Sequence, residues 1–127
     1  MKRQPSASFS SLPVTGTHIL AEAILESSKR LLKFGNAKIF IEDTLAELGI
    51  AKLGSVYHDF PEGGFTCLVG LAESHVSIHT WPNIYFLTMD TYLCNYSTDN
   101  EKLAKKLHSK LIEYFSPEKV HTRIIYR

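Results

Sequence analysis

Glu73-Ser74-His75-Val76-Ser77-Ile78-His79-Thr80-Trp81-Pro82 is the stretch from which the fold of this chain is most directly read. Val76, Ile78 and Thr80 alternate with His75, Ser77, His79 and Trp81. A period of two marks a strand with one apolar face and one polar, chemically capable face. Ser74 shares the parity of Val76 and Ile78, not that of His79. If Ser74 and His79 act on one another, the backbone must leave regular pairing near Ser74, and a strained turn is expected there.

The flanks extend the pattern. Phe65 to Ala72 is apolar and rich in β-formers, and Pro61-Glu62-Gly63-Gly64 before it is a Pro/Gly turn. Thr17 to Leu25, Ile50 to Phe60, Ile84 to Leu93 and Val120 to Tyr126 read as further strands. Ser27 to Phe34 is a short helix candidate, with Ser27 or Ser28 as its cap and Gly35 as its stop. Asn36 is then placed to cap a second helix, along which Ala37, Ile41, Leu45 and Leu48 recur before Gly49 ends it. Thr98-Asp99-Asn100-Glu101 fits a capping box. The helix it opens carries Leu103, Leu107, Leu111 and Phe115 on one stripe, with lysines on a solvated face. The element order is roughly β, α, β, β, β, α, β. The expected class is α+β, a two-layer sandwich with two main helices on one face of a mainly antiparallel sheet. The other face then needs cover, which a second subunit can supply.

The length of 127 residues fits a single domain, taken as 14–127. Residues 1–13, rich in Ser and Pro, read as a disordered arm and not as a signal peptide. A net charge of +1 implies no general attraction to nucleic acid or anionic membrane. No apolar run approaches the roughly 20 residues that cross a bilayer. Cys67 and Cys94 are too few for a disulfide framework, and no metal is expected from the six histidines. A reducing, cytoplasmic setting follows.

The chemistry centres on Ser74. Its hydroxyl can attack the Glu73 carbonyl and turn the amide into an ester. Removal of the Ser74 α-proton then expels the Glu73 carboxylate. Loss of ammonia by hydrolysis leaves a pyruvoyl ketone at the new chain start. Such a sequence needs a nucleophile, a nearby base and donors for the tetrahedral intermediate. His79 is the natural base, because imidazole titrates closest to neutrality. Cys94 is a candidate proton donor, whereas Cys67 lies in an apolar run and reads as core. Phe60 and Trp81 read as core on base rates, but both lie at strand ends beside turns, where rings can stack on a flat ligand.

Taken together, these residues resemble the small, bacterial-type S-adenosylmethionine decarboxylases, which carry a self-made pyruvoyl group. Residues 72–82 match that family's signature almost throughout, and Asp90 and Cys94 keep its downstream spacing. Gly16-Thr17-His18 with Glu22 resembles its opening strand, and Phe60, Gly64 and Thr66 its turn before the cleavage site. The resemblance implies self-cleavage between Glu73 and Ser74. Ser74 becomes the pyruvoyl group and Schiff-base site, His79 serves processing with help from Thr66, and Cys94 donates the catalytic proton. Phe60 and Trp81 resemble the adenine-holding positions. A homodimer of cleaved protomers and a small-molecule substrate are also implied.

Several positions depart from the family pattern, among them Thr66 where serine is usual and Ile84-Tyr85 in place of tyrosine and glycine. Asn83 stands where the family has the glutamate expected to accept the ribose hydroxyls, Leu93 where it has threonine and Asn95 where it has glycine. S-adenosylmethionine decarboxylation, feeding spermidine synthesis, is the first reading. An arginine or ornithine decarboxylase on the same scaffold and an unprocessed, non-catalytic homologue remain alternatives.

Overall fold

The computed structural model describes residues 8–11, 15–96 and 98–127. Of the expected 1–13 arm, only Ser8 to Ser11 falls within them, where Phe9–Ser11 forms one 3-10 turn. Six strands make one sheet: β1 (Gly16–Ile24), β2 (Lys52–Asp59), β3 (Phe65–Leu71), β4 (Ser74–Trp81), β5 (Phe86–Cys94) and β6 (Lys119–Tyr126). Their order is β2-β3-β4-β5-β1-β6, with every pairing antiparallel. Two helices, α1 (Gly35–Glu47) and α2 (Glu101–Phe115), complete the expected α+β two-layer architecture. The chain therefore runs β-α-β-β-β-β-α-β, with one strand more between the helices than the expected order held.

The alternation in β4 sets the layers. Val76, Ile78 and Thr80 are buried beneath the helices, while Ser77 and His79 lie half-buried on the open face. Cross-strand register carries this parity through the sheet, so Cys67, Met89 and Ile19 join the core. From the helix layer, Phe34, Ile41, Leu45, Leu107 and Leu111 close over them. Each such apolar side chain contributes about 1.5–3 kcal/mol by leaving water. Burial pushes the Cys67 thiol up to about 12, which makes it inert and fits its reading as core. The open face carries exposed Val56 and Leu68, paired on β2 and β3, and exposed Ile24 and Ile125 on β1 and β6.

Three local expectations are corrected. Ser27 to Phe34 holds only a 3-10 turn, Lys29–Leu31, and Gly35 begins α1 instead of stopping a helix before it. Phe34 occupies the N-cap of α1 with no side-chain cap, so Asn36 lies inside the first turn. Asp59 Oδ1 accepts the Phe34 N–H at 2.9 Å, a tertiary partner that sequence spacing cannot show. The Thr98 capping box does not form, since α2 starts after Asn100 without a side-chain cap. At the other end of α1, Gly49 behaves as expected. With φ 71 it lets the Gly49 and Ile50 N–H groups bond Ala46 and Leu45, a Schellman closure.

Thr80 ties the layers by hydrogen bonds. Its buried Oγ1 accepts the Phe65 N–H at 2.8 Å and donates to the Leu31 carbonyl at 2.7 Å. Thr80→Val leaves both backbone groups without that partner and is expected to lower stability by about 2 kcal/mol, read by urea unfolding. His108 is buried in α2, and neither ring nitrogen has a hydrogen-bond partner. Burial lowers its pKa from 6.5 to about 4. Between these values the unfolded chain binds the proton more readily, so stability falls as pH drops through that window. The slope is at most about 1.4 kcal/mol per pH unit. His108→Leu is expected to flatten this acid limb in unfolding curves taken across it.

Candidate active site

Ser74 opens β4 directly after a two-residue link. Leu71 pairs with Ser74 across Ala72 and Glu73. Such links favour turns in which the first central residue has positive φ. Here Glu73, the second, is the left-handed one, at φ 54. A non-glycine residue held there costs about 1–3 kcal/mol. The strained turn expected near Ser74 is present, but it lies at Glu73, and the ladder resumes at Ser74 itself. The strain therefore sits on the residue whose carbonyl Ser74 would attack.

β5 brings Cys94 to the same end of the sheet. The Cys94 N–H donates to Ser74 Oγ at 3.1 Å. The Tyr96 N–H points to Cys94 Sγ at 3.4 Å, and the half-buried thiol has the parity of the open face. Asn100 Nδ2 donates to the Cys94 carbonyl at 2.9 Å, and Asn95 Oδ1 accepts the Asn100 N–H at 2.8 Å. Asn95 Nδ2 reaches Thr17 Oγ1 at 3.2 Å. Asn95 and Asn100 thus clamp the chain just after Cys94, a role the sequence reading missed. A glycine at position 95 would lack this clamp. Ser74 faces a cavity of about 210 Å³ beneath α2, shared with Leu71, Leu93, Asn100 and Leu103.

The far end of β4 holds a second group. Thr66 Oγ1 and His79 Nδ1 are hydrogen-bonded at 2.8 Å across the β3–β4 pair. Trp81 lies next along that face, 6.4 Å from the His79 ring between centroids. Phe60, Glu62, Thr80, Trp81 and Asn83 line a cavity of about 470 Å³ there. The Phe60 and Trp81 rings are each about two-fifths exposed, 42% and 41%, so neither is a core residue. Core packing, the reading base rates favour for these rings, is thereby corrected, and Phe60 follows the end of β2 while Trp81 ends β4. Asn83 sits in the 3-10 turn Pro82–Ile84, which Tyr85 closes at φ 57.

These two groups do not meet within one chain. Five strand residues separate Ser74 from His79, which at roughly 3.4 Å each is about 17 Å. The two side chains also leave opposite faces of the sheet, Ser74 on the Val76 parity and His79 on the Thr66 parity. Turning the backbone at Glu73 does not shorten that distance. Ser74 with Cys94, and His79 with Thr66, are separate pairs.

A cluster on the open face at the Ser74 and Cys94 end of the sheet was not anticipated. His18, His75 and Tyr92 form a ring triad with centroid distances of 5.7 to 5.8 Å. Asp90 Oδ2 lies 3.8 Å from His18 Nε2, which has no hydrogen-bond partner of its own. Burial, and then the neighbouring His18, lowers the His75 pKa. Gly16 admits Tyr92, because a Cβ there would fall 2.2 Å from its hydroxyl oxygen. No sequence spacing reveals this cluster, because the pairing that assembles it spans three strands. Among the described residues, no three His, Cys, Asp or Glu side chains group as a metal site.

Residues 17–127 match the family model of S-adenosylmethionine decarboxylase. The S-adenosylmethionine decarboxylase proenzyme of Archaeoglobus fulgidus is 32% identical over 114 residues, covering 90% of this chain and 98% of that protein. The proenzyme of the same name from Pyrobaculum neutrophilum is 37% identical over 120 residues, covering 90% and 93%. The crystal structure of the Aquifex aeolicus adenosylmethionine decarboxylase superposes with a TM-score of 0.78 at 26% identity, over 88% of this chain and 89% of that one.

Proposed function

The chain belongs to the S-adenosylmethionine decarboxylase family, and on that footing we propose that it is a proenzyme that cuts itself between Glu73 and Ser74 and then decarboxylates S-adenosylmethionine. The observation that carries the reading is the strained Glu73 at the turn, with Ser74 Oγ already held by the Cys94 N–H. Attack by Ser74 Oγ on the Glu73 carbonyl moves the acyl group from nitrogen to oxygen and releases the local strain. The Ser74 α-proton passes to a base, and the Cα–H electrons form the new double bond as the Glu73 carboxylate departs. Water then displaces ammonia and leaves the ketone.

That pyruvoyl ketone would condense with the substrate amine and draw off the electrons of the departing carboxylate. The residues at hand fit it. The strained turn would free the new chain end, and Cys94, whose backbone N–H holds Ser74 Oγ and whose chain is clamped by Asn95 and Asn100, would return a proton to carbon once that freed end turns toward its thiol. At the other end of β4, Phe60 and Trp81 would hold the adenine, a role supported by their sharing one cavity. The product is the aminopropyl donor for spermidine, made in the cytoplasm.

The distance from Ser74 to His79 supports a site completed by a second protomer. A homodimer joined through the open sheet faces would cover exposed Val56, Leu68 and Ile125. It would also let the His79–Thr66 pair and aromatic cavity of one subunit serve the Ser74–Cys94 end of the other. Two-chain mass spectra together with carbon dioxide release from S-adenosylmethionine, arginine and ornithine, assayed side by side, test the reading. Release from S-adenosylmethionine alone is expected. Release only from arginine or ornithine overturns the substrate, and an uncut, silent chain overturns the enzyme.

A further inference from the structure

The cavity around Trp81 holds a carboxylate that the motif residues do not account for. Glu62 lines the same cavity as Phe60, Trp81 and Asn83. It belongs to the Pro61–Gly64 turn and not to the Trp81-Pro82-Asn83 segment. The ion pairs that glutamates form among the described residues engage Glu22, Glu42, Glu47 and Glu101, leaving Glu62 outside them.

The turn holds Glu62 in place by backbone geometry. The Phe60 N–H donates to the Gly64 carbonyl at 2.9 Å, and the Gly63 N–H donates to the Phe60 carbonyl at 3.0 Å. The Gly64 N–H donates to the Leu32 carbonyl at 2.9 Å. Gly63 and Gly64 have φ 104 and 103, a region that side chains rarely allow. A Cβ on Gly64 would meet Pro82 Cδ and the Thr80 carbonyl oxygen at 3.1 Å. The turn is therefore pressed against Pro82, one residue before Asn83. Glu62 and Asn83 reach one cavity from two segments fixed to each other.

The geometry points to Glu62 as the residue that selects a ribose diol in this cavity, a role that rests on the substrate class proposed above. An adenosine ligand brings a flat base, which suits the two rings, and a vicinal diol with two O–H donors. A carboxylate has two acceptor oxygens and no donor, so one group can accept both hydroxyls. The Asn83 amide has a single acceptor oxygen and cannot accept both in that way. Arginine and ornithine have no diol for Glu62 to accept.

Binding of adenosine and of 2′,3′-dideoxyadenosine to the full-length, processed protein, measured by calorimetry, tests this. Adenosine is expected to bind about tenfold to a hundredfold tighter. Glu62→Gln should bring that ratio close to one, and adding Asn83→Glu to Glu62→Gln should restore it. A ratio unchanged by Glu62→Gln, or no preference for the diol in the unaltered protein, overturns the role of Glu62. Carbon dioxide release from S-adenosylmethionine is read separately. If it persists while the ratio ignores Glu62, only this inference fails. If arginine or ornithine is decarboxylated instead and adenosine does not bind, the substrate reading fails and takes Glu62 with it.

Discussion

A Ser74→Ala protein runs as one uncut chain of 127 residues and releases no carbon dioxide from S-adenosylmethionine. The unaltered protein, by contrast, gives two chains, residues 1–73 and 74–127. The loss is complete because the hydroxyl has two successive duties. It attacks the Glu73 carbonyl, and its oxygen then leaves Cβ with the Glu73 carboxylate, which opens the way to the ketone. Alanine can do neither, and nothing within hydrogen-bond reach replaces it. The fold should survive the change. Ser74 is half-buried, and its Oγ accepts one hydrogen bond, from the Cys94 N–H. Losing that bond costs about 1 kcal/mol. A thermal melt close to that of the unaltered protein separates lost chemistry from lost structure. A cut or active Ser74→Ala protein would remove the pyruvoyl reading altogether.

His79→Ala alone should also remain uncut, yet it should be rescued by Ser74→Ala, a partner that is itself inactive. When the two are co-expressed with different tags, mixed dimers pair an intact Ser74 on one chain with an intact His79 on the other. The chain bearing His79→Ala is then expected to be cut, in about half its copies if pairing is random. The chain bearing Ser74→Ala stays whole. The forecast depends on the separation of about 17 Å along β4 and on the opposite faces the two side chains leave. If the mixed sample stays uncut while both proteins fold and dimerise, the shared site is wrong, and the base must come from the same chain as Ser74.

Legibility differed from element to element. β4 was read correctly from its alternation alone, because a strand buried on one face must repeat every two residues. The stripe of α2 and the Gly49 stop of α1 were equally plain. Failures came where a tertiary partner replaced a local one. Asn36 and Thr98 looked like caps, but Asp59 holds the Phe34 N–H, and Asn100 turns its side chain to Cys94. Ser27 to Phe34 reads as helical yet supports only one 3-10 turn.

The sequence by itself determined the layered α+β class and the alternation of β4, and it marked out Glu73, Ser74, His79, Thr66 and Cys94 as the residues proposed to do the chemistry. It could do so because motif and period are local properties, written within a few residues of one another. Tertiary structure alone decided which of those residues meet. Strand pairing joins Thr66 to His79, the Cys94 N–H ties Ser74 Oγ to the end of β5, and strand rise keeps the two pairs apart. It also decided that Glu62 shares a cavity with Asn83, since a turn packed on Pro82 brings together positions that no sequence spacing relates.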